Sequence, residues 1–327
     1  MIPHEMQVVT MSGAGGPEVL GMGTRPVPAP APGQVLVRVA AAGVNGPDMM
    51  QRKGLYPPPK GASDLLGLEI SGTIVAVGNE VATWSVGDAV CALTDGGGYA
   101  EYCVAEAAQC LPIPAGVSVQ DAAGLPETFI TVWSNLFQEG GLAAGDTLLV
   151  HGGAGGIGTA AIQLAKAFGA RVFATDSPAA RCRVCEQLGA DRVIDYAAED
   201  FVEVLREAGG ATMILDIVGG PYIERNIKAA AAGARIIQLA FALGSKVEIN
   251  LMPVMLKRIT YTGSTLRTRP PAFKARAVAE LREKVWPKIE AGAIRVVTNE
   301  VLPFSRASEA HALMQGAGHT GKILLVP

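Results

Sequence analysis

Residues Gly145–Gly169 read GDTLLVHGGAGGIGTAAIQLAKAFG. Thr147–His151 is a short apolar run rich in β-formers with glycine on both sides, the pattern of a buried strand in a parallel sheet. Gly153, Gly155 and Gly158 fall on a G-x-G-x-x-G spacing. Ile157, Ala161, Leu164, Ala165 and Phe168 then recur at helical spacing, and Gly169 stands where a helix-terminating glycine belongs. In a chain with 40 glycines the spacing alone says little; its place between a strand and a helix is what a dinucleotide fingerprint requires. Backbone access is the physical reason. A pyrophosphate can approach the turn closely only where no Cβ stands in the way, and the first helical turn offers free N–H groups to its oxygens. Gly153, Gly155, Gly156, Ile157 and Gly158 are therefore the expected phosphate-binding residues. Downstream, Arg171–Thr175 reads as a second strand ending in Asp176, close to the ~20-residue separation expected of a ribose-binding acid.

The bulk properties narrow the function. A chain of 327 residues is long for one domain, so two are expected. Hydrophobic residues make up 49% and charged residues 17%, enough to build a globular core. A net charge of −3 without basic runs argues against nucleic acid or an anionic membrane surface as partner. The apolar segments are short and broken by Gly, Pro or charge, so no transmembrane helix is expected. MIPHEMQVV has neither a basic nor an apolar leader region, so no signal peptide is expected. Five cysteines, an odd number, fit a reducing cytoplasm. Cys182 and Cys185 are spaced C-x-x-C, but no second pair follows, and both read as small helix residues.

Residues 1 to about 120 read as an all-β domain. Val35–Ala40 alternates with Arg38 as its polar member, Ile70–Val77 is interrupted by Gly72, Ala89–Leu93 follows a Gly-Asp turn, and Tyr99–Val104 follows three glycines. Pro26–Pro32 reads as an extended linker or edge. From Val119 the pattern changes. Residues 120–140 look helical, and strand then alternates with helix: 147–151, 171–175, helix 178–188, 192–194, helix 199–207, 213–216, helix 221–231, 235–239. That succession predicts an α/β fold with a doubly wound parallel sheet. A helix over 271–291 follows, and Gly321–Pro327 reads as a lone strand returning to the first domain, which makes that domain discontinuous. The expected boundaries are 1–122 with 295–327, and 123–294.

At this point a family resemblance enters. Gly67-Leu68-Glu69 with Gly72, Gly78 and Val81 fits the zinc alcohol dehydrogenase signature G-H-E-x2-G-x5-G-x2-V, with Leu68 in the histidine position. AAGVNGPDMMQRKGLYPPP (41–59), PETFITVW (126–133), ILDIVGG (214–220), GSTLRTR (263–269) and HTGKILLVP (319–327) resemble the zinc-free quinone oxidoreductase, or zeta-crystallin-like, branch of the medium-chain dehydrogenase/reductase superfamily. The resemblance spans the chain. It implies a GroES-like β domain plus a Rossmann domain, with cofactor and substrate held in the cleft between them. A catalytic zinc needs three protein ligands and an open position. Asn45 and Leu68 stand where the zinc relatives have Cys and His, and an amide and an isobutyl group replace neither, so no metal is expected. Glu69 then reads as a hydrogen-bonded structural carboxylate. Hydride transfer to a quinone or conjugated alkene needs less electrophilic help than carbonyl reduction.

The resemblance also assigns roles. Asn45 matches an asparagine near the nicotinamide and substrate, though it also suits a turn before Gly46. Tyr56 matches a tyrosine that orients a substrate oxygen or relays a proton, though it also suits stacking before Pro57. The family's occasional second tyrosine is Met50 here. Thr131 matches a threonine whose hydroxyl contacts the nicotinamide. Tyr196 lies near the adenine ribose; Ile217, Val218 and Gly219 line the adenosine site. Leu239, Ala240, Phe241 and Leu266 meet the nicotinamide through backbone atoms. His151, His311 and His319 read as structural. For the nucleotide, NAD(P)H is implied. The branch mostly uses NADPH, held by a Ser and a basic residue that match Ser177 and Arg181, whereas Asp176 would repel a 2′-phosphate and favours NADH slightly. Val247–Leu251 and Ile259–Thr262 are β-prone runs where the family forms a homodimer through a sheet edge. The leading reading is an NAD(P)H:quinone oxidoreductase acting on a small electrophilic acceptor. A reductase of enones or enoyl thioesters is the alternative, and a cofactor-binding structural protein with little turnover is the reading from another class.

Overall fold

The structure is a computed structural model describing residues 1–316 and 318–327. It divides into two compact units, Met1–Ile130 with Arg267–Pro327, and Thr131–Leu266.

The second unit carries the glycine turn. Its six-stranded sheet runs in the order Arg192–Asp195, Arg171–Asp176, Thr147–His151, Ala211–Asp216, Ala230–Gln238, Thr260–Gly263, with every neighbouring pair parallel. In chain order this is 3-2-1-4-5-6, the Rossmann arrangement. The sequence reverses direction between Thr147–His151 and Ala211–Asp216, and ligands of open α/β sheets bind beyond the carboxyl ends of the strands at such a point. Leu148, Leu149 and Val150 are fully buried, as a central strand covered on both faces requires. Gly156–Ala167 packs on the first two strands of this unit, and buries Ala160, Ala161, Ile162, Leu164 and Ala165.

The first unit is built on a seven-stranded sheet. Six strands run in the order Thr298–Pro303, Lys322–Val326, Gln34–Gly43, Glu69–Val77, Ala89–Leu93, Cys110–Pro112, and Tyr102–Glu106 pairs with Gln34–Gly43 off that path. Glu5–Met11 and Leu20–Pro26 form a separate antiparallel pair. Val35, Val37, Val39, Ile70, Ile74, Val90, Ile323 and Leu325 meet in one core, while Arg38 points to solvent. Lys322–Val326 lies parallel to Thr298–Pro303 and antiparallel to the end of Gln34–Gly43, so the first unit is discontinuous.

Several expected elements shift. The dividing points fall at 130/131 and 266/267 rather than 122/123 and 294/295. The reason is local: Lys274 Nζ reaches Asp95 Oδ1 at 2.6 Å and Trp286 Nε1 donates to Pro112 O at 2.7 Å, which ties these helices to the first unit. The helix expected over 271–291 breaks into Pro271–Lys284 and Trp286–Glu290, as Pro287 lacks the N–H an unbroken helix would use. Residues 120–140 resolve into a 3₁₀ turn at Asp121–Gly124, an α-helix at Pro126–Val132 and a wider π-type segment at Trp133–Glu139. Val247–Leu251 forms no strand, and the edge strand is Thr260–Gly263.

Candidate active site

In the second unit the turn after His151 is stitched to the neighbouring strand. The N–H groups of Gly152 and Gly153 both donate to Thr175 O at 3.0 Å, and Gly155 N donates to Gly152 O at 3.1 Å. The glycines differ in what they permit. A Cβ on Gly158 would stand 2.3 Å from Gly152 O and 2.6 Å from Gly153 Cα, and one on Gly153 would stand 2.8 Å from Cys185 Sγ. Those two glycines let turn, helix and strand close on one another. A Cβ on Gly155 would meet only Gly152 O, at 3.4 Å, so Gly155 is the least obstructed of the three. Gly155, Gly156 and Ile157 are half-exposed at the start of Gly156–Ala167, where helical N–H groups lack intrahelical acceptors.

Asp176 ends the second strand of this unit and is almost fully buried. Ala154 N in the glycine turn donates to its Oδ2 at 2.7 Å and Ser177 N to its Oδ1 at 2.8 Å. Arg181 adds Nε to Oδ1 at 2.6 Å and a second guanidinium nitrogen to Oδ2 at 3.2 Å. The carboxylate thus joins the glycine turn to the cation expected beside a ribose phosphate. Tyr196 is exposed, and its backbone N–H donates to Asp176 O.

At the end of Ala211–Asp216, a fully buried Asp216 gathers Val218 N at 2.6 Å, Gly219 N at 3.1 Å and Asn226 Nδ2 at 2.9 Å. With its Nδ2 donating, Asn226 presents Oδ1 to His151 Nε2 at 2.7 Å, so that nitrogen carries the proton and Nδ1 accepts from the Thr175 hydroxyl at 2.8 Å. Burial holds the imidazole pKa below its usual value, consistent with a neutral ring. His151 is structural, as read from the sequence; Asp216 and Asn226 went unread, although the D-x-x-G of ILDIVGG is the trace an N–H-gathering aspartate leaves. Leu239 N donates to Asp216 O, Ala240 and Phe241 are exposed, and Leu266 is buried. Thr131 is 9% exposed, and its Oγ1 has no hydrogen-bond partner. A buried orphan hydroxyl implies a missing acceptor or donor, and with the glycine cradle it fits a bound nicotinamide nucleotide.

In the first unit Asn45 caps the helix Gly46–Arg52. Its Nδ2 donates to Glu69 Oε1 at 2.9 Å and its Oδ1 accepts from Lys322 Nζ at 2.7 Å. Lys322 Nζ also bonds Glu69 Oε1 at 2.6 Å and Val44 O at 3.1 Å, using all three of its protons. Glu69 Oε2 accepts from Glu127 N at 2.8 Å. A Cβ on Gly43 would lie 2.0 Å from Glu69 Oε1, so only glycine leaves room for the carboxylate. Leu68 is buried. Among the described residues no group of three or more His, Cys, Asp or Glu side chains is placed to hold a metal ion.

Behind Asn45 stands Asp48, whose carboxylate accepts from Asn45 N and Gly67 N, both at 2.9 Å, and from the Tyr99 hydroxyl at 3.3 Å. Burial raises its pKa to about 6 against those bonds. Arg52, always a donor, faces His311 Nδ1 at 3.1 Å; His311 Nε2 therefore carries the proton and donates to the Tyr99 hydroxyl oxygen (Oη) at 3.1 Å, which leaves the tyrosine proton for Asp48. Burial pushes His311 down to about 3, so this chain of bonds stays neutral at the ring. Tyr56 is half-buried, with the Arg267 guanidinium 5.8 Å from its ring centre. Sequence reading missed Asp48, Lys322 and Glu127. Asp48 was legible as the third residue after a helix-capping Asn45, and Lys322 as the one charge in an apolar terminal strand.

Comparison with known proteins agrees with this geometry. Residues 31–115 match the alcohol dehydrogenase GroES-like domain and residues 156–283 the zinc-binding dehydrogenase family. A quinone oxidoreductase of Pseudomonas aeruginosa is 32% identical over 321 residues, covering 96% of this chain and 97% of that one. A mycocerosic acid synthase-like polyketide synthase of Mycobacterium tuberculosis is 30% identical over 300 residues, 90% of this chain and 14% of that much longer protein. Among solved structures, the Escherichia coli quinone oxidoreductase complexed with NADPH superposes with a TM-score of 0.87 at 27% identity, covering 98% of this chain and all of that one. The chain belongs to the medium-chain dehydrogenase/reductase superfamily, in its quinone oxidoreductase branch. No helix among the described residues is long and apolar enough to cross a membrane.

Proposed function

We propose that the protein is an NAD(P)H:quinone oxidoreductase that works without zinc. The observation that carries this reading is the clamp on Asn45: both ends of its amide are spent on Glu69 and Lys322, so a hydrogen-bonded amide and an ammonium fill the place of a thiolate-lined metal site. When bound, the nicotinamide nucleotide supplies a hydride. Gly155, Gly156 and Ile157 offer backbone N–H groups to its pyrophosphate, and Asp176, Ser177, Arg181, Tyr196 and Val218 hold its adenosine half. Thr131, Leu239, Ala240, Phe241 and Leu266 receive the nicotinamide half. Gly153 and Gly158 keep the turn closed beneath it. Asn45, its amide fixed by Glu69 and Lys322, lies beside the nicotinamide and acceptor as part of the wall that positions them, and Tyr56 directs its phenol at an acceptor oxygen; a phenol, whose ordinary pKa is near 10, acts as donor, not base. The acceptor is a small electrophile. The full-length relatives favour a quinone; the match to a polyketide synthase supports enoyl thioesters and enones as a second class. The protein works as a homodimer in the cytoplasm.

The test is oxidation of NADH and NADPH with a panel of quinones, enones and enoyl thioesters. Turnover highest with quinones supports the reading, turnover confined to conjugated alkenes moves the protein to the second class, and tight nucleotide binding with no turnover rejects both. Within the site, Tyr56→Phe is expected to lower kcat about 10-fold, the scale of one positioned donor; unchanged kinetics with every acceptor would return Tyr56 to packing.

A further inference from the structure

Reduction of a quinone or conjugated alkene consumes a hydride and a proton. We propose that Glu127 holds that proton and delivers it. This rests on the reductase reading above.

Glu127 opens the helix Pro126–Val132 and is 9% exposed. Its backbone N–H is committed to Glu69 Oε2, while its carboxyl takes no hydrogen bond among the described residues. The charges facing it come from five elements or segments. Glu69 lies on Glu69–Val77 and Asp48 on Gly46–Arg52, both acidic; Lys322 lies on Lys322–Val326, Lys274 on Pro271–Lys284, and Arg267 precedes that helix. Their commitments decide the balance. All three protons of Lys322 are spent on Glu69, Asn45 and Val44. Lys274 is bonded to Asp95, and Arg267 to Gln51 and the Asp95 carbonyl. The adjacent Glu69 carboxylate has its own N–H and ammonium donors, and Glu127 has none. A buried carboxyl with no donor, beside a carboxylate that has several, keeps its proton. Burial first and Glu69 second raise the Glu127 pKa to about 8, against the pull of Lys322. Its small exposed edge lets solvent restore the proton after each turnover.

The step balances. A bound reduced nicotinamide would supply a hydride to one end of the conjugated acceptor and be oxidised in doing so, and the acceptor's electron pair would move to the other end; there the Glu127 O–H bond breaks as its proton passes over, directly or through one water. The acceptor gains two hydrogens, and the Glu127 carboxylate takes a proton from water.

The experiment compares wild type with Glu127→Gln, which keeps size and shape. Infrared titration of the nucleotide-free protein is expected to show a protonated carboxyl band that persists through neutral pH, disappears near pH 8 and is absent from Glu127→Gln. In Glu69→Gln the same band is expected to disappear at lower pH, because the neighbouring negative charge is gone. In turnover, wild-type kcat is expected to fall as pH rises through about 8, and Glu127→Gln to lose about 100-fold at neutral pH, together with that limb. Tyr56→Phe is expected to keep the limb. A wild type without the band, or a Glu127→Gln enzyme with wild-type kcat and pH profile, overturns the proposal. A wild type that turns over no acceptor but shows the band overturns the reductase reading and leaves Glu127 as a protonated acid.

Discussion

Asp176 illustrates how one residue can serve two ligands. In the proposed reading its carboxylate meets the 2′-hydroxyl of NADH or the 2′-phosphate of NADPH, yet it is bonded on both oxygens to Arg181. Pairing lowers its repulsion toward a phosphate, and it also draws the guanidinium away from one. Contact repulsion there is worth roughly 1–3 kcal/mol on an effective-dielectric scale, about what one charge-assisted bond returns, so both nucleotides are expected to be used with NADH slightly ahead. Asp176→Ala frees Arg181 and removes the carboxylate; the ratio of kcat/KM for NADPH over NADH is expected to rise about 10-fold. An unchanged ratio would take Asp176 away from the ribose. Asp176 was legible as an acid at a set distance from the glycine turn, and Ser177 and Arg181 as matches to the family's positions after that strand; the structure bonds both to the Asp176 carboxylate. Glu127 and Lys322 were not, because their properties come from what faces them: Lys322 meets Val44 across 278 residues of chain, and no local pattern encodes that.

At the level of elements, the strand–turn–helix around Gly153 was the most legible part of the chain, since its glycines are demanded by backbone contacts within a few residues. Gly158→Ala places a methyl against Gly152 O and Gly153 Cα, neither of which can yield. A loss of about 1–3 kcal/mol in thermal unfolding is expected, as for other overpacked sites. Gly155→Ala meets far less obstruction, and is expected to keep the wild-type Tm while weakening dinucleotide affinity, measured by fluorescence titration. Equal Tm losses in the two variants would refute this division of labour. The strands Glu5–Met11 and Thr298–Pro303 were the less legible elements. In Glu5–Met11 the alternation breaks at Val8 and Val9, both buried; Thr298–Pro303 alternates in burial, but two of its three inward positions are Thr298 and Glu300, so no apolar period-2 pattern marks it.

The whole molecule leaves a sheet edge uncovered. Thr260–Gly263 is the last strand of its sheet and all four of its residues are exposed. Beside it Phe241, Val247, Leu251 and Tyr261 surround a hollow of about 310 Å³. An apolar edge of this kind invites strand pairing, and a two-fold pairing closes after one partner is added. Light scattering at micromolar concentration is expected to give twice the 33.7 kDa chain mass, and Tyr261→Asp to give the monomer; a monomeric wild type would contradict the assembly.

The strand Lys322–Val326 has a consequence for biosynthesis. The unit Thr131–Leu266 is continuous and complete well before the ribosome reaches residue 322. The unit that begins the chain is not, since Gln34–Gly43 waits for Lys322–Val326 to pair with it, and Asn45 waits for Lys322. Domains ordinarily fold in order of synthesis. Here the order is expected to invert: the unit Thr131–Leu266 can mature on the nascent chain, whereas the Asn45 clamp can form only once residue 322 has been synthesised.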